Sequence, residues 1–403
     1  MATCPKATDV ERVDAADLRH RMVDDLRARA VVTSPAVEAA LRVVPRHVFV
    51  PEVPPERAYA DEAVVTKVGD DGMPTSSASQ PSIVGLMLEQ LDVARGHRVL
   101  EIGAGTGYNA ALLAELVGPE GAVTTVDLDA DVVERAAAGL RDAGFDQVRV
   151  VCADGGLGWP DGAPYDRIIV TAGAWDLPPA WTGQLAPSGR LVVPLGIRGV
   201  YRSVCFEPVG RTWRSGSIVD CGFMPLRGEF AGPGRYVKVG ESGSVWDDGD
   251  LRGDVNVLAE LGPGQSPAVE LATTVTATST QLWRSLALWL ALTDPAFVRS
   301  FGGLPDDVVG GLGLLEGENL AVPCRPHGRH GDEPFQVMVR GYGPDGHGLA
   351  SRLAERIRAW DRRTTAGLRI DAYPVETPDA AIPAEWIVPK RHTKLGISWN
   401  APG

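Results

Sequence analysis

The chain has 403 residues, 39 of them basic and 52 acidic, for a formal net charge of −13, and 44% are hydrophobic. This gives enough apolar mass for two or three ordinary domains, and the acidic balance argues against phosphate-backbone binding, which needs clustered Lys and Arg. No apolar run approaches the roughly 20 residues of a bilayer span. No apolar secretory segment opens the chain.

Five scattered cysteines without C-x-x-C suit reduced thiols better than a disulfide framework or thiolate zinc. The expected compartment is the cytoplasm, with no nucleic acid, membrane or metal partner. The skew to arginine over lysine gives single arginines little functional weight.

In chain order, Leu18, Met22 and Leu26, then Val37, Ala40 and Leu41, fall at helical spacing. They lead into PRHVFVP, read as an extended segment ended by Pro51 and Pro54. From about 80 to 196, strand-like runs (RVLEI, AVTTVDL, VRVVCAD, DRIIVTA, GRLVVPL) alternate with helical patterns at 110–117 and 132–140. Such alternation predicts a parallel sheet, which binds ligands at the carboxyl ends of its strands. RGEFAGPGRY (227–236) reads as a linker, and the residues beyond it are too many for a tail. There the patterns predict strands at 269–275 and 335–340 and helices at 281–292 and 349–360, with Leu349, Leu353 and Ile357 on one core-facing stripe. The expected domains are a helical cap (1–75), a ligand-binding α/β domain (76–228) and an accessory or substrate-recognition domain (229–403).

The sharpest local signal is RVLEIGAGTGY, a strand running into Gly103, Gly105 and Gly107 before a helix. Glycine permits a tight turn and close ligand approach. The spacing departs from the dinucleotide fingerprint, and Glu101 opposes a pyrophosphate while suiting a cationic ligand. This points to S-adenosylmethionine, with Ala104, Thr106 and Tyr108 completing the turn; a purely structural turn is the bland alternative. Asp127, followed by Leu128, ends the next strand, where a carboxylate accepts from ribose hydroxyls. Asp154, followed by Gly155, ends a third strand and suits an adenine amino group; otherwise both acids are turn or N-cap residues.

The motifs RMVDDLRAR (21–29), VPRHVFVP (44–51), AYADEAV (58–64), ASQPSIV (78–84), VLEIGAGTGYNAALLAELVG (99–118), ADG (153–155) and the stretch 163–196 occur in order. Over roughly residues 20–225 the chain resembles protein-L-isoaspartate O-methyltransferases. The resemblance implies a Rossmann-like class I methyltransferase parallel sheet, α/β, with an N-terminal helical cap, here joined to a C-terminal α+β lobe.

It also implies that Ser79 orients the substrate carboxylate, with Ser77 as second choice, against a helix-start reading of Ser79. Asp61, Ser82 and Thr171 are implied on the substrate side, Asp61 equally as a loop-fixing residue. Ser82 stands where the family usually has a ring, and KVGDDGMP (67–74) departs from the family's short approach. Asp176-Leu177-Pro178-Pro179 superficially resembles the D-P-P-Y signature of amino-group methyltransferases, but Ala180 comes next. Cys324, His327 and His330, in a Gly/Pro-rich string without a fourth nearby ligand, read as a loop. The segment 390–403, with Trp399, is an apolar anchor on a basic stretch, placed to dock on the catalytic lobe or on a peptide.

The partner implied is a peptide or protein carrying Asp or isoAsp; the oligomeric state is open. The length beyond residue 230 favours methylation of an Asp side chain in a ribosomally made modified peptide, giving a methyl ester and then aspartimide or isoAsp. General isoaspartyl repair and a non-catalytic cofactor-binding regulator are the alternatives.

Overall fold

The computed structural model describes residues 14–399 apart from 71, 242, 260–266, 302–304, 306, 327–330, 361–362 and 364–366. The chain forms two compact units, 1–171 with 183–190, and 172–182 with 191–403.

The first unit opens with helices α1 (Ala15–Ala28) and α2 (Pro35–Val43), each started by a side chain that accepts a backbone N–H, Asp14 from Ala16 and Ser34 from Ala36. Met22 and Leu26, and Val37 and Leu41, are buried, as their spacing predicts. PRHVFVP is a 3-10 turn at Arg46–Phe49 and not an extended segment. The reason is tertiary: Arg46 is 0% exposed and donates to the carbonyls of Ala58 (2.8 Å) and Ala78 (3.4 Å). Helix α3 (Pro55–Ala58) and the antiparallel hairpin β1 (Val64–Val68) and β2 (Pro74–Ala78) come after it.

Then come α4 (Pro81–Leu91), β3 (Arg98–Ile102), α5 (Tyr108–Val117), β4 (Ala122–Asp127), α6 (Ala130–Asp142), β5 (Arg149–Cys152) and β6 (Tyr165–Val170). The four strands pair in parallel in the order β6-β3-β4-β5. Val99, Leu100 and Ile102 of β3 are at most 1% exposed, as expected of a strand covered on both faces. The registers Ile102↔Val126 and Asp127↔Cys152 bring the carboxyl ends of β3, β4 and β5 to one edge.

Helix α7 (Pro179–Gln184) and strand β7 (Leu185–Ile197) run through the junctions between the units. In the second unit β7 continues into an antiparallel meander with β8 (Val200–Val209) and β9 (Thr212–Cys221). Next are β10 (Arg235–Val239), β11 (Gly243–Asp247), α8 (Asn256–Ala259) and β12 (Val269–Ala277). The helix predicted over 281–292 is α9 (Ser279–Gln281), a π-helical stretch at Leu282–Leu286, and α10 (Ala287–Thr293). Strands β13 (Phe297–Phe301), β14 (Leu312–Glu316), β15 (Asn319–Cys324) and β16 (Phe335–Tyr342), helix α11 (Gly346–Ala359), and strands β17 (Leu368–Pro374), β18 (Trp386–Pro389) and β19 (Thr393–Trp399) complete the chain.

An antiparallel sheet of order β10-β11-β13-β14-β15-β16-β12 is packed by α11, whose Leu349, Leu353 and Ile357 are buried. The boundary expected at 228 differs from the division observed, because β9 meets β17 at Trp213↔Ala372 and the meander goes with the C-terminal residues. The boundary at 75 likewise falls inside the first unit, which holds α1–α3 and the parallel sheet together.

Candidate cofactor and active site

The glycine turn leaves β3 at Ile102. Gly103 has φ +104, and a Cβ there would lie 2.6 Å from the Thr171 hydroxyl oxygen, so close approach and backbone angle both demand glycine. The Thr171 hydroxyl donates to the carbonyls of Gly103 (2.7 Å) and Ile102 (3.1 Å), which fixes the turn from β6. Glu101 is fully buried and accepts from Thr125 (2.6 Å) on β4 and Asn109 (2.8 Å) on α5. Burial pushes its carboxyl up to about 7, against the two hydrogen bonds, with Asp127 adding to the rise. Glu101 thus ties the strand that enters the turn to β4 and α5. Thr106 and Tyr108 are buried at the start of α5, as is Ala104 in the turn, and Gly107 packs against Ala136 of α6.

At the strand ends, Asp127 is half-buried and accepts from the Gly105 backbone N–H at 3.1 Å. Leu128 beside it leaves an apolar side chain 39% exposed. Asp154 caps the short turn Gly155–Leu157, accepting from Gly156 at 2.8 Å, so the capping alternative describes part of what it does. Gly155 is buried, where a Cβ would meet Ile102 at 2.5 Å.

Over this turn lies the hairpin. A Cβ on Gly105 would come 3.5 Å from the Ser77 carbonyl oxygen, which places the end of β2 against the glycine turn, with half-buried Ser79 two residues on. Arg46 fastens this segment through the Ala78 carbonyl, and its guanidinium stands 5.1 Å over the Tyr108 ring. The other end of the hairpin is latched by Lys67, whose Nζ is 2.7 Å from both Asp129 and Asp131 at the start of α6.

Ser82 is 8% exposed and gives its backbone N–H to Asp61 at 2.8 Å. Asp61 also pairs with Arg29 at 2.8 Å. Burial works against the Asp61 charge, but Arg29 and the Ser82 N–H outweigh it and hold the carboxyl below its ordinary range. Asp61 therefore caps α4 from outside the helix, where Gln80 at the N-cap makes no side-chain cap bond. Sequence reasoning gave no role to Arg46, Lys67 or Asp129; the available signal was the place of Arg46 inside VPRHVFVP and of Lys67 at the head of KVGDDGMP.

Asp176 lies in the second unit, accepting from Leu177 (2.7 Å), His392 N–H (2.6 Å) and Thr393 (2.6 Å), a structural knot rather than an amino-group site. Trp399, 0% exposed, belongs to β19 between β17 and β18. Cys324 is buried at the end of β15; His327 and His330 lie outside the described residues. No group of His, Cys, Asp and Glu suited to a metal occurs among the described residues, and no helix among them is long and apolar enough to cross a membrane.

Carboxylates at two adjacent strand ends, an exposed apolar side chain beside one of them and a turn in which Gly105 leaves the backbone uncovered fit S-adenosylmethionine by donor chemistry: acceptors for hydroxyls and an amino group, and an apolar face for the adenine plane. The family model described as Protein-L-isoaspartate(D-aspartate) O-methyltransferase matches residues 17–226. The chain is 41% identical over 216 residues to the protein-L-isoaspartate O-methyltransferase of Methanopyrus kandleri, covering 52% of this chain and 92% of that one. It is 44% identical over 213 residues to protein-L-isoaspartate O-methyltransferase 1 of Rhodopseudomonas palustris strain HaA2, covering 52% and 83%. A solved structure of a protein-L-isoaspartate O-methyltransferase, at 22% identity, matches with a TM-score of 0.52 over 95% of this chain and 100% of that one, a likeness of fold that extends beyond residue 226. The parallel sheet with its glycine turn is thus that of a class I methyltransferase, and the chain belongs to the protein-L-isoaspartate O-methyltransferase family, an enzyme that works with S-adenosylmethionine.

Proposed function

We propose that the chain transfers a methyl group to the free carboxylate of an L-isoaspartyl residue in a peptide or protein. The observation that supports this reading is the approach of the Ser77 carbonyl to Gly105, which brings the end of β2, with Ser79 two residues on, against the glycine turn. S-adenosylmethionine supplies an electrophilic methyl group on a sulfonium. A carboxylate with a pKa of roughly 4 is already ionised at neutral pH, so its attack needs no general base. The residues' task is alignment and exclusion of water.

Ser79, with Ser77 beside it, donates a hydrogen bond that orients the carboxylate without adding charge. Asp127 and Asp154 hold the cofactor's hydroxyl and amino groups. Glu101 and Thr171 act through the turn as positioning residues. Arg46 and Lys67 hold the hairpin in place. The resulting ester has a leaving group that the next backbone nitrogen displaces to form a succinimide. Free thiols at Cys152, Cys205, Cys221 and Cys324 support work in the cytoplasm.

A second reading is methylation of an Asp side chain in a ribosomally made modified peptide. It is favoured by Ser82 and the 67–74 stretch, which depart from the family at the hairpin and the start of α4. Chain length does not favour it, since a solved structure bearing the family name matches 95% of this chain. Matched linear peptides differing only in Asp or isoAsp, incubated with S-adenosylmethionine and followed by mass spectrometry, test both. A methyl ester on the isoAsp peptide is expected. Ester formation only on an Asp-containing cyclic peptide would replace the first reading by the second.

A further inference from the structure

The second unit contains a cavity of about 180 Å3 that the glycine turn and its acids do not share. Three of its walls are aromatic: Trp175, Tyr201 and Trp246. The rings lie where glycines leave room for them. A Cβ on Gly173 would sit 2.5 Å from the Tyr201 ring, one on Gly232 2.5 Å from Trp175, and one on Gly199 2.8 Å from Trp246. Gly199 and Arg198 form the two-residue turn between β7 and β8 with φ +75 and +49, and an arginine in that left-handed position is an outlier of the kind that gathers at binding sites. It is held there by its guanidinium, which donates to the carbonyls of Asp294, Pro295 and Phe297.

Size and charge select the occupant. A cavity of about 150 Å3 lined by apolar side chains holds one benzene ring, so this one takes a single side chain and not a cofactor. Asp248 on the wall accepts from the Trp246 indole at 2.8 Å. It opposes an anion. A cation is opposed by Arg198 and Arg227 on the wall and by Lys390, whose ammonium already covers Trp175 at 4.7 Å from the ring centroid and bonds the Gly196 carbonyl at 3.0 Å. An uncharged ring meets neither objection and stacks edge to face as Tyr201 and Trp246 do with each other.

We propose that this cavity binds the aromatic side chain, Phe or Tyr, of the polypeptide substrate, a specificity pocket that rests on the proposed reaction at a peptide carboxylate. Gly173 on its wall is two residues beyond Thr171 in the chain.

Two measurements on the full chain test it. Saturation-transfer NMR with N-acetylphenylalanine amide and N-acetyllysine amide reads the pocket without turnover. Phenylalanine amide should bind, and Leu226→Trp, which puts a larger side chain on the cavity wall, should abolish the signal. In parallel, isoAsp peptides scanned with Phe or Ala at each neighbouring position should show KM about tenfold or more lower for one Phe position, and Leu226→Trp should raise the KM of that Phe peptide to the level of its Ala counterpart. Binding of the lysine probe alone, or no probe binding with KM indifferent to Phe throughout, overturns the proposal. If the phenylalanine probe binds wild type but no aspartyl or isoaspartyl peptide is methylated, the pocket stands and the reading of the reaction falls.

Discussion

Glu101 is a carboxylic acid held where water cannot reach it, and its titration reports on folding. Its folded-state value is raised from 4.5 to about 7, so between those pH values the folded chain keeps a proton that the unfolded chain has released. Stability from this group therefore falls as pH rises through that window, by about 3 kcal/mol, and is level above it. Glu101→Gln should remove this slope, seen as a flatter plot of melting temperature from pH 5 to 8. Ser79 is tested differently: Ser79→Ala should lower kcat/KM for an isoAsp peptide by about tenfold to a hundredfold while calorimetry finds cofactor affinity within about twofold. A comparable loss of cofactor affinity would reassign Ser79 to the turn. At this scale the sequence exposed the residues whose chemistry is local, the glycines and the acids at strand ends. Arg46 stayed hidden because its meaning is two carbonyls, 12 and 32 residues away, that only the folded chain brings to it.

Helix α4 shows what one carboxylate does for an element. With no side-chain cap from its own N-cap residue, it is closed by Asp61, itself anchored to Arg29. Asp61→Ala should cost about 1 kcal/mol in urea unfolding, and because Asp61 lies on the loop before the hairpin, KM for peptide should rise as well. Asp61→Asn keeps an acceptor for Ser82 and should recover most of the stability. The glycine turn tolerates less: Gly103→Ala meets Thr171 and an angle that alanine resists, costing about 1–3 kcal/mol and most of the cofactor affinity measured by titration calorimetry. The parallel strands were legible because their apolar runs are short and regularly spaced. Strands β8 and β9 were not, since β8 buries Arg202 and Ser203 and Arg202 faces Asp220 across the ladder as an ion pair at 3.0 Å, which breaks the apolar pattern that strands are recognised by.

On the scale of the whole molecule, the family match ends at residue 226 but the second compact unit begins at 172. A chain cut after residue 228 keeps β9 without β17, whose Asp371 accepts from the Ser215 backbone at 3.0 Å. It also loses Thr393 and the His392 backbone, the partners of Asp176. Such a fragment should be insoluble on expression, or bind a hydrophobic dye in its soluble fraction. A soluble, cooperatively melting fragment would show that the C-terminal residues are dispensable for the meander.

The backbone passes between the two units at residues 171–172, 182–183 and 190–191. Three junctions, one of them inside a single β-strand, mean that the second unit is not joined to the first by one linker. Recombination cannot graft or delete that unit at one breakpoint, and a protease cannot release it with one nick. The part shared with shorter relatives already supplies the strands on which the remainder builds. Any lineage that gained or lost the remainder therefore had to re-clothe the surface of its own β8 and β9, and the traces of that history are to be sought in 191–221 rather than beyond 228.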